Sequence, residues 1–106
     1  MTTWQADFYR RPLNDETGSV LWELVVCDAT GAASRYSFCP QSAADSVWLG
    51  HQLQQMANPL GGLPKRIQVF RPQSVSLLTA ACQPLGVIVE PTRHTPALKR
   101  LLRQRA

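Results

Sequence analysis

The segment KRIQVFRPQS at residues 65–74 places the strongest constraint on how this chain can fold. Two basic residues lead into a short apolar strand, IQVF, which ends at Arg71 and Pro72, and a helix is predicted to begin at Gln73 or Ser74. Open α/β sheets bind their ligands at the carboxyl ends of their strands. The segment therefore predicts a central strand with Arg71 in a binding site at its end.

Three further strands are predicted before this one, over residues 4–11, 20–28 and 34–39. In the first strand apolar and polar side chains alternate, which places them on opposite faces of a sheet. Pro12 ends that strand, and the short turns between the strands favour an antiparallel meander. The second strand, VLWELVVCD, is apolar almost throughout, so both of its faces should be covered and Glu23 should pair with a basic residue.

Helices are predicted over residues 42–57 and 74–83, and a fifth strand over 87–90 precedes a last helix that starts at Pro96. The order βββαβαβα predicts an α/β domain with a five-stranded mixed sheet and helices on both faces, because helical crossovers make the later strands parallel to the first. This topology is similar to the ribonuclease H-like fold. Another small α/β arrangement, such as the restriction-endonuclease-like core, is the alternative.

The size and composition of the chain predict one globular domain of 106 residues. No apolar run is long enough for a transmembrane segment, and the first residues lack the apolar core of a signal peptide, which predicts a cytosolic protein or one inside an organelle. Three cysteines without a CxxC pair predict buried thiols in a reducing compartment. Cys27 and Cys39 could be neighbours on adjacent strands, so a redox pair is the alternative.

Positive charge is concentrated in the second part of the chain. Residues 1–64 hold three basic and six acidic residues, a net charge of −3, whereas residues 65–106 hold eight basic residues and one acidic residue, a net charge of +7. A basic half on a small domain is typical of proteins that bind a polyanion such as nucleic acid, although basic surfaces also serve solubility alone.

The topology can be tested against a metal-dependent nuclease. A ribonuclease H-like enzyme holds two divalent ions with carboxylates from the first strand, the first helix and the end of the fourth strand. Asp7 and Asp45 fall near the first two positions, and Asp45 is expected on the core-facing side of its helix. Arg71 occupies the third position, where a guanidinium would repel metal ions. We therefore predict no metal site, with Asp7 and Asp45 as a candidate vestigial acidic site.

Both carboxylates also have a structural interpretation. Asp45 stands three residues after Ser42 and fits the capping box of a helix whose N-cap is Ser42, and Asp7 could pair with an arginine or face solvent. His51 and His94 have no third ligand or nucleophile at a recognisable spacing. The sequence contains no catalytic triad, phosphate-binding loop or dinucleotide fingerprint, so it predicts neither catalytic residues nor a cofactor.

Five segments taken together resemble one protein family. They are WQADFYRRP at 4–12, LWELVVCD at 21–28, FCPQSAADS at 38–46, RIQVFRPQS at 66–74 and VEPTRHTPALKRLL at 89–102. These segments are similar to the N-terminal domain of the Tab/Atab-like proteins of cyanobacteria and chloroplasts, and the similarity extends over essentially the whole chain.

The resemblance implies a non-enzymatic factor for translation and assembly of photosystem subunits. Its implied partner is single-stranded RNA, the leader of a photosystem messenger RNA, and its implied location is the cyanobacterial cytoplasm or the chloroplast stroma. Members of the family are longer and carry a second domain, so this chain is expected to correspond to their N-terminal domain.

The candidate RNA contacts are assigned from chemistry. Basic groups hold RNA phosphates, and aromatic or guanidinium planes stack on unpaired bases. The candidates follow the ends of strands one, four and five, which should converge on one edge of the sheet. They are Tyr9, Arg10, Arg11, Arg71, Gln73, Arg93 and His94. The three tryptophans are assigned to the core. A protein-interaction or dimerisation module is the second functional hypothesis, and a metal-dependent nuclease is the third.

Overall fold

A computed structural model describes residues 3–105, which form a five-stranded sheet and three helices. The strands are β1 (Thr3–Asn14), β2 (Val20–Asp28), β3 (Ser34–Pro40), β4 (Arg66–Val69) and β5 (Ile88–Pro91), and the helices are α1 (Ser46–Ala57), α2 (Pro72–Cys82) and α3 (Pro96–Arg105). The sheet order is β3-β2-β1-β4-β5, with β1, β4 and β5 parallel and the β1–β2–β3 meander antiparallel. The predicted βββαβαβα order and mixed sheet are thus confirmed. The middle strand is β1, however, and β4 lies beside it.

One face of the sheet is covered by α1 and α2 and is apolar. The alternation predicted for β1 places Trp4 and Phe8 on this face, where they pack with Leu49 and Leu53 of α1 and Leu78 of α2. All five side chains are almost completely buried. This layer supplies the main hydrophobic core.

The opposite face is covered by α3 and carries more polar groups. Ala97 and Leu98 pack on Val25 and Cys27 of β2. The buried side chain of Gln5 accepts a hydrogen bond from the backbone N–H of Leu98 at 3.0 Å. Because the N–H groups of a first helical turn have no partner within the helix, this bond both satisfies one of them and fixes α3 on the sheet.

The end of β1 and the start of α2 differ from the prediction. β1 continues through Pro12 to Asn14. Its pairing with β2 is irregular between Arg10 and Asn14, so Pro12, which has no backbone N–H, does not need to donate a hydrogen bond to β2 there. α2 begins at Pro72, one or two residues early, with Arg71 as its N-cap. Proline fits the first turn of a helix, where its missing N–H costs nothing.

The cysteines confirm the prediction of buried thiols. Cys27, Cys39 and Cys82 are free and buried, and burial raises the pKa of each thiol to about 11. The redox-pair alternative is wrong, because Cys27 belongs to the cluster under α3 whereas Cys39 belongs to the core on the other face. Within residues 3–105, no helix has the length and apolar character needed to cross a membrane.

Candidate nucleic-acid interface

Arg71, which follows the end of β4, forms a bidentate ion pair with Asp7 of β1. Its Nε and Nη2 donate to the two carboxylate oxygens at 2.8 and 2.9 Å. Parallel pairing of the two strands, in which Ala6 lies opposite Val69, brings these residues together although they are 64 positions apart. The Asp7 side chain is fully buried, whereas that of Arg71 is 36% exposed. Of the two interpretations of Asp7, the arginine pair is the one present.

The guanidinium of Arg71 is held on its other sides by aromatic rings. Its central carbon lies 5.5 Å from the centre of the Tyr9 ring and 5.2 Å from that of Phe70. The hydrogen bonds to Asp7 raise the pKa of Arg71 above its ordinary value. Asp7 takes two of the five N–H donors of this group, so an oriented cation with three further donors faces the partly exposed side.

A second buried carboxylate, Glu23, pairs with a basic residue as predicted, and that residue is Arg11, at 3.5 Å. The hydroxyl of Tyr9 donates to Glu23 Oε1 at 2.8 Å and accepts from Arg11 Nη1 at 3.1 Å. Burial and the hydrogen bond to Glu23 raise the pKa of Tyr9. Arg11 is therefore engaged within the fold, and Tyr9 links the two ion pairs because both guanidinium groups lie over its ring.

A cleft of about 300 Å³ opens between the middle of β1 and the start of α2. Its lining residues are Phe8, Tyr9, Arg10, Trp22, Arg71, Gln73 and Leu77. The hydroxyl of Ser74 donates to the carbonyl of Phe8 at 2.7 Å and thereby fixes the first turn of α2 against β1. Four of the seven predicted contacts, Tyr9, Arg10, Arg71 and Gln73, thus line one cleft.

Trp22 is the lining residue that the sequence assigned to the core. It lies opposite Arg10 in the β1–β2 ladder and packs on Phe8 at 5.2 Å between ring centres, yet it is only partly buried. The predicted antiparallel hairpin already implied that a residue of β2 stands beside Arg10 on the same face. The register was needed to identify that residue as a tryptophan.

The remaining predicted contacts lie outside this cleft. Arg93 follows β5 and lines a separate cleft of about 460 Å³ with Phe70 and Pro72 on the far side of the α2 amino terminus. His94 is exposed, and its backbone N–H donates to the hydroxyl of Thr92. Residues from the middle of β1 therefore share a cleft with Arg71 after β4, while the end of β5 borders the neighbouring cleft. The candidates of the first strand lie within it and not at its end, because β1 continues to Asn14.

Asp45 is placed differently from the prediction. A short 3-10 turn over Gln41–Ala43 precedes α1, and Asp45 is the N-cap, with Oδ1 accepting from the backbone N–H of Trp48 at 2.8 Å. Assigning Ser42 as the N-cap was therefore wrong, although a capping role for Asp45 is present. Asp45 is exposed and does not face the core, so the expected core-facing carboxylate is corrected.

Among residues 3–105, no group of three or more His, Cys, Asp or Glu side chains is arranged to hold a metal ion. Asp7 has both carboxylate oxygens bonded to Arg71. A divalent cation at Asp7 would have to displace that guanidinium or share the carboxylate with it, at the cost of charge repulsion.

Comparison with solved structures shows the fold. The chain resembles a simian T-cell lymphotropic virus intasome, solved in complex with the PP2A regulatory subunit B56 gamma, with a TM-score of 0.70 and 16% identity over 96% of this chain and 37% of that one. It also resembles the HTLV-2 integrase catalytic core domain in complex with magnesium, with a TM-score of 0.67 and 15% identity over 96% and 65% of the two chains. The ribonuclease H-like topology is confirmed.

Sequence comparison shows the family. The chain is 39% identical over 103 residues to the chloroplastic TAB2 homolog of Zea mays and 33% identical to that of Arabidopsis thaliana. These matches cover 96% of this chain but 26% and 28% of the relatives, so the chain spans about a quarter of their length. Residues 3–105 match the family described as "RNA-binding protein Tab2/Atab2 N terminal", and the chain belongs to that family.

Proposed function

We propose that this chain binds single-stranded RNA in the cleft between the middle of β1 and the start of α2, as the N-terminal domain of a longer factor for translation and assembly of photosystem subunits. Membership of an RNA-binding family supports the ligand class. The chloroplastic relatives support the chloroplast stroma, or the cytoplasm of a cyanobacterium, as its location. The leader of a photosystem messenger RNA is the proposed target.

The observation that carries the proposal is the composition of the cleft. Arg10 and the exposed edge of Arg71 supply positive charge for phosphates, and the partly exposed Trp22 ring offers a surface on which an unpaired base can stack. Gln73 carries both a donor and an acceptor for base edges. Arg93 and His94 are proposed contacts for nucleotides that leave the cleft across the start of α2.

The proposed role is non-catalytic. Catalysis by two metal ions depends on clustered negative charge that is available to the metals. The buried carboxylate of the middle strand is neutralised by Arg71, and Asp45 caps a helix. If RNA incubated with Mg²⁺ and the chain stays intact, the binding role stands; cleavage that disappears in Asp7→Asn would establish a nuclease instead.

The decisive experiment measures RNA affinity by fluorescence anisotropy over a salt series. Arg10→Ala should weaken binding and reduce the salt slope by about 0.7, the value for one phosphate contact of a single strand. Trp22→Ala should weaken binding by about fivefold to a hundredfold, as expected for loss of one stacked base. Thermal unfolding of each variant verifies that the domain remains folded.

Arg66→Ala is the matched control, because it removes the same charge at the other end of β4, away from the cleft. It should leave affinity within about twofold of the unmodified chain, since a distant exposed charge is largely screened by salt. Equal losses in Arg10→Ala and Arg66→Ala would mean that binding follows net charge and not the cleft.

A further inference from the structure

Two aromatic side chains on the edge strand β3 remain exposed. Tyr36 is 57% and Phe38 is 44% exposed, and their ring centres are 6.5 Å apart with the planes nearly perpendicular. Tyr36 lies opposite Val25 and Phe38 lies opposite Glu23 in the β2–β3 ladder. Because Val25 packs under α3, the two rings lie on the α3 face of the sheet, beyond the area that α3 covers.

The surroundings of this aromatic pair are basic. Ser34 precedes Tyr36 on the same face of β3 and lines a small cavity with Arg100 and Gln104 of α3. The sequence of α3 contains four basic residues and no acidic one. Arg35, in contrast, lies opposite Val26, so its exposed side chain leaves β3 on the α1/α2 face, where its Nη1 donates to the carbonyl of Ser34 at 3.1 Å.

The carboxylate beside the pair does not offset this charge at the surface. Glu23, opposite Phe38, is fully buried and lies 3.5 Å from the guanidinium of Arg11. Tyr9 stands on the other side of Glu23 in the same row of the sheet, and its hydroxyl donates to that carboxylate. The row Tyr9–Glu23–Phe38 therefore runs along the α3 face from the Tyr9 side of the proposed RNA cleft to the aromatic pair across two strand spacings, about 10 Å.

The chemistry of this surface fits a nucleic acid better than a protein. The two rings expose roughly 200 Å² together, judged from side chains of about 200 Å² each, whereas a stable protein interface needs about 800 Å² from each partner. Exposed aromatic side chains on a sheet surface bind single-stranded RNA by stacking on its bases, and neighbouring cations bind its phosphates.

We propose that Tyr36 and Phe38 stack on unpaired bases of single-stranded RNA, with Arg100 of α3 contacting its phosphates. This second contact rests on the proposed function, because it extends the strand bound in the cleft past Tyr9 onto the open end of the sheet. A longer RNA engages both contacts, and a short one occupies the cleft alone.

The test compares two oligonucleotide lengths, about four and about twelve nucleotides, near the two ends of the range that small single-strand binding domains accommodate. The double variant Tyr36→Ala with Phe38→Ala should lose about tenfold to a hundredfold in affinity for the longer RNA and keep its affinity for the shorter one. Tyr36→Phe with Phe38→Tyr should bind both as the unmodified chain does, because the stacking surfaces remain. Ile88→Ala is the matched control, since Ile88 is 63% exposed on β5, the other edge strand.

Unchanged affinity of the double alanine variant for the longer RNA overturns the inference. So does a loss of self-association, seen by light scattering without any change in RNA affinity, because the aromatic pair would then be a protein contact. The cleft is tested separately by Arg10→Ala. If Arg10→Ala lowers the affinity for both oligonucleotides while the double alanine variant lowers the affinity for neither, the proposed function stands and the second contact is wrong. If the unmodified chain binds neither RNA, both fall.

Discussion

Arg66 and Arg71 stand at the two ends of β4, and each pairs with a carboxylate, but the two pairs differ in burial. Arg66 Nη1 lies 3.6 Å from Glu90, and the two side chains are 49% and 40% exposed. Arg71 makes two bonds of 2.8 and 2.9 Å to an Asp7 side chain that is fully buried. Water and salt screen the exposed pair of Arg66 and Glu90, so it contributes little to stability. In the second pair, Arg71 compensates the charge of a carboxylate that is buried inside the fold.

This difference separates two roles that the same residue type can have. Glu90 also accepts a hydrogen bond from Gln68 at 3.0 Å, so it depends little on Arg66. The carboxylate of Asp7 lies in the middle strand and is neutralised by Arg71. Arg71 therefore compensates a charge inside the fold, and only its exposed edge is left for the proposed contact with RNA.

The largest expected loss of stability comes from breaking the buried ion pair between Arg71 and Asp7. Arg71→Ala leaves Asp7 buried without its cation and should lower the free energy of unfolding by about 3 kcal/mol, the lower end for a broken buried pair because Arg71 is itself partly exposed. Arg66→Ala should lower it by about 0.5 kcal/mol or less. Urea unfolding followed by circular dichroism measures both values. Similar losses in the two variants would show that burial does not separate the pairs.

The sequence predicted the position of Arg71 but not its partner. Apolar periodicity and the Arg-Pro step identified β4 and the start of α2 to within two residues, because these are local signals. Asp7 lies 64 residues away, and the parallel register that brings it to Arg71 has no local signature. The anion that Arg71 holds is consequently a carboxylate of its own fold, which strand patterns alone could not reveal.

The helix start at Asp45 shows a similar limit. Ser42 and Asp45 are both residue types that cap helices, and a capping box read from Ser42 is a reasonable pattern. The chain forms a 3-10 turn first, and the α-helix begins with the segment whose apolar side chains, Leu49 and Leu53, reach the core. Packing, not the cap motif, decides which of the two candidates becomes the N-cap.

Glu23, the second buried carboxylate, allows a test of whether its buried contacts also stabilise the fold more than exposed ones do. Tyr9→Phe removes the hydroxyl that donates to Glu23 and leaves Arg11 3.5 Å away. The loss of a hydrogen bond to a buried charged group should lower the free energy of unfolding by about 1 to 2 kcal/mol near neutral pH. Urea unfolding of the variant beside the unmodified chain measures this loss.

The same variant has a defined pH dependence. Burial and the bond to Glu23 raise the pKa of Tyr9 in the folded state, so the neutral phenol stabilises the fold in full below the ordinary tyrosine pKa of about 10. This contribution is lost as the pH rises through the folded pKa. The stability difference between the unmodified chain and Tyr9→Phe should therefore be constant below about pH 10 and shrink as the pH rises above that value, toward the higher pKa of the folded state. A constant or growing difference in that higher range would contradict the role given to the hydroxyl.

The smallest net effect is expected when both members of the buried pair are replaced. Asp7→Leu combined with Arg71→Met removes the carboxylate and the guanidinium together and leaves apolar side chains beside Tyr9 and Phe70. Stability should return to within about 1 kcal/mol of the unmodified chain, because a buried ion pair can be exchanged for apolar groups of similar size with little loss. Arg71→Met alone should remain about 3 kcal/mol less stable. Since the double variant is expected to fold and lacks the guanidinium, its RNA affinity tests the proposed contact of Arg71 separately from its ion pair. Weaker binding than in Arg66→Ala assigns Arg71 to the cleft, and equal binding restricts it to the fold.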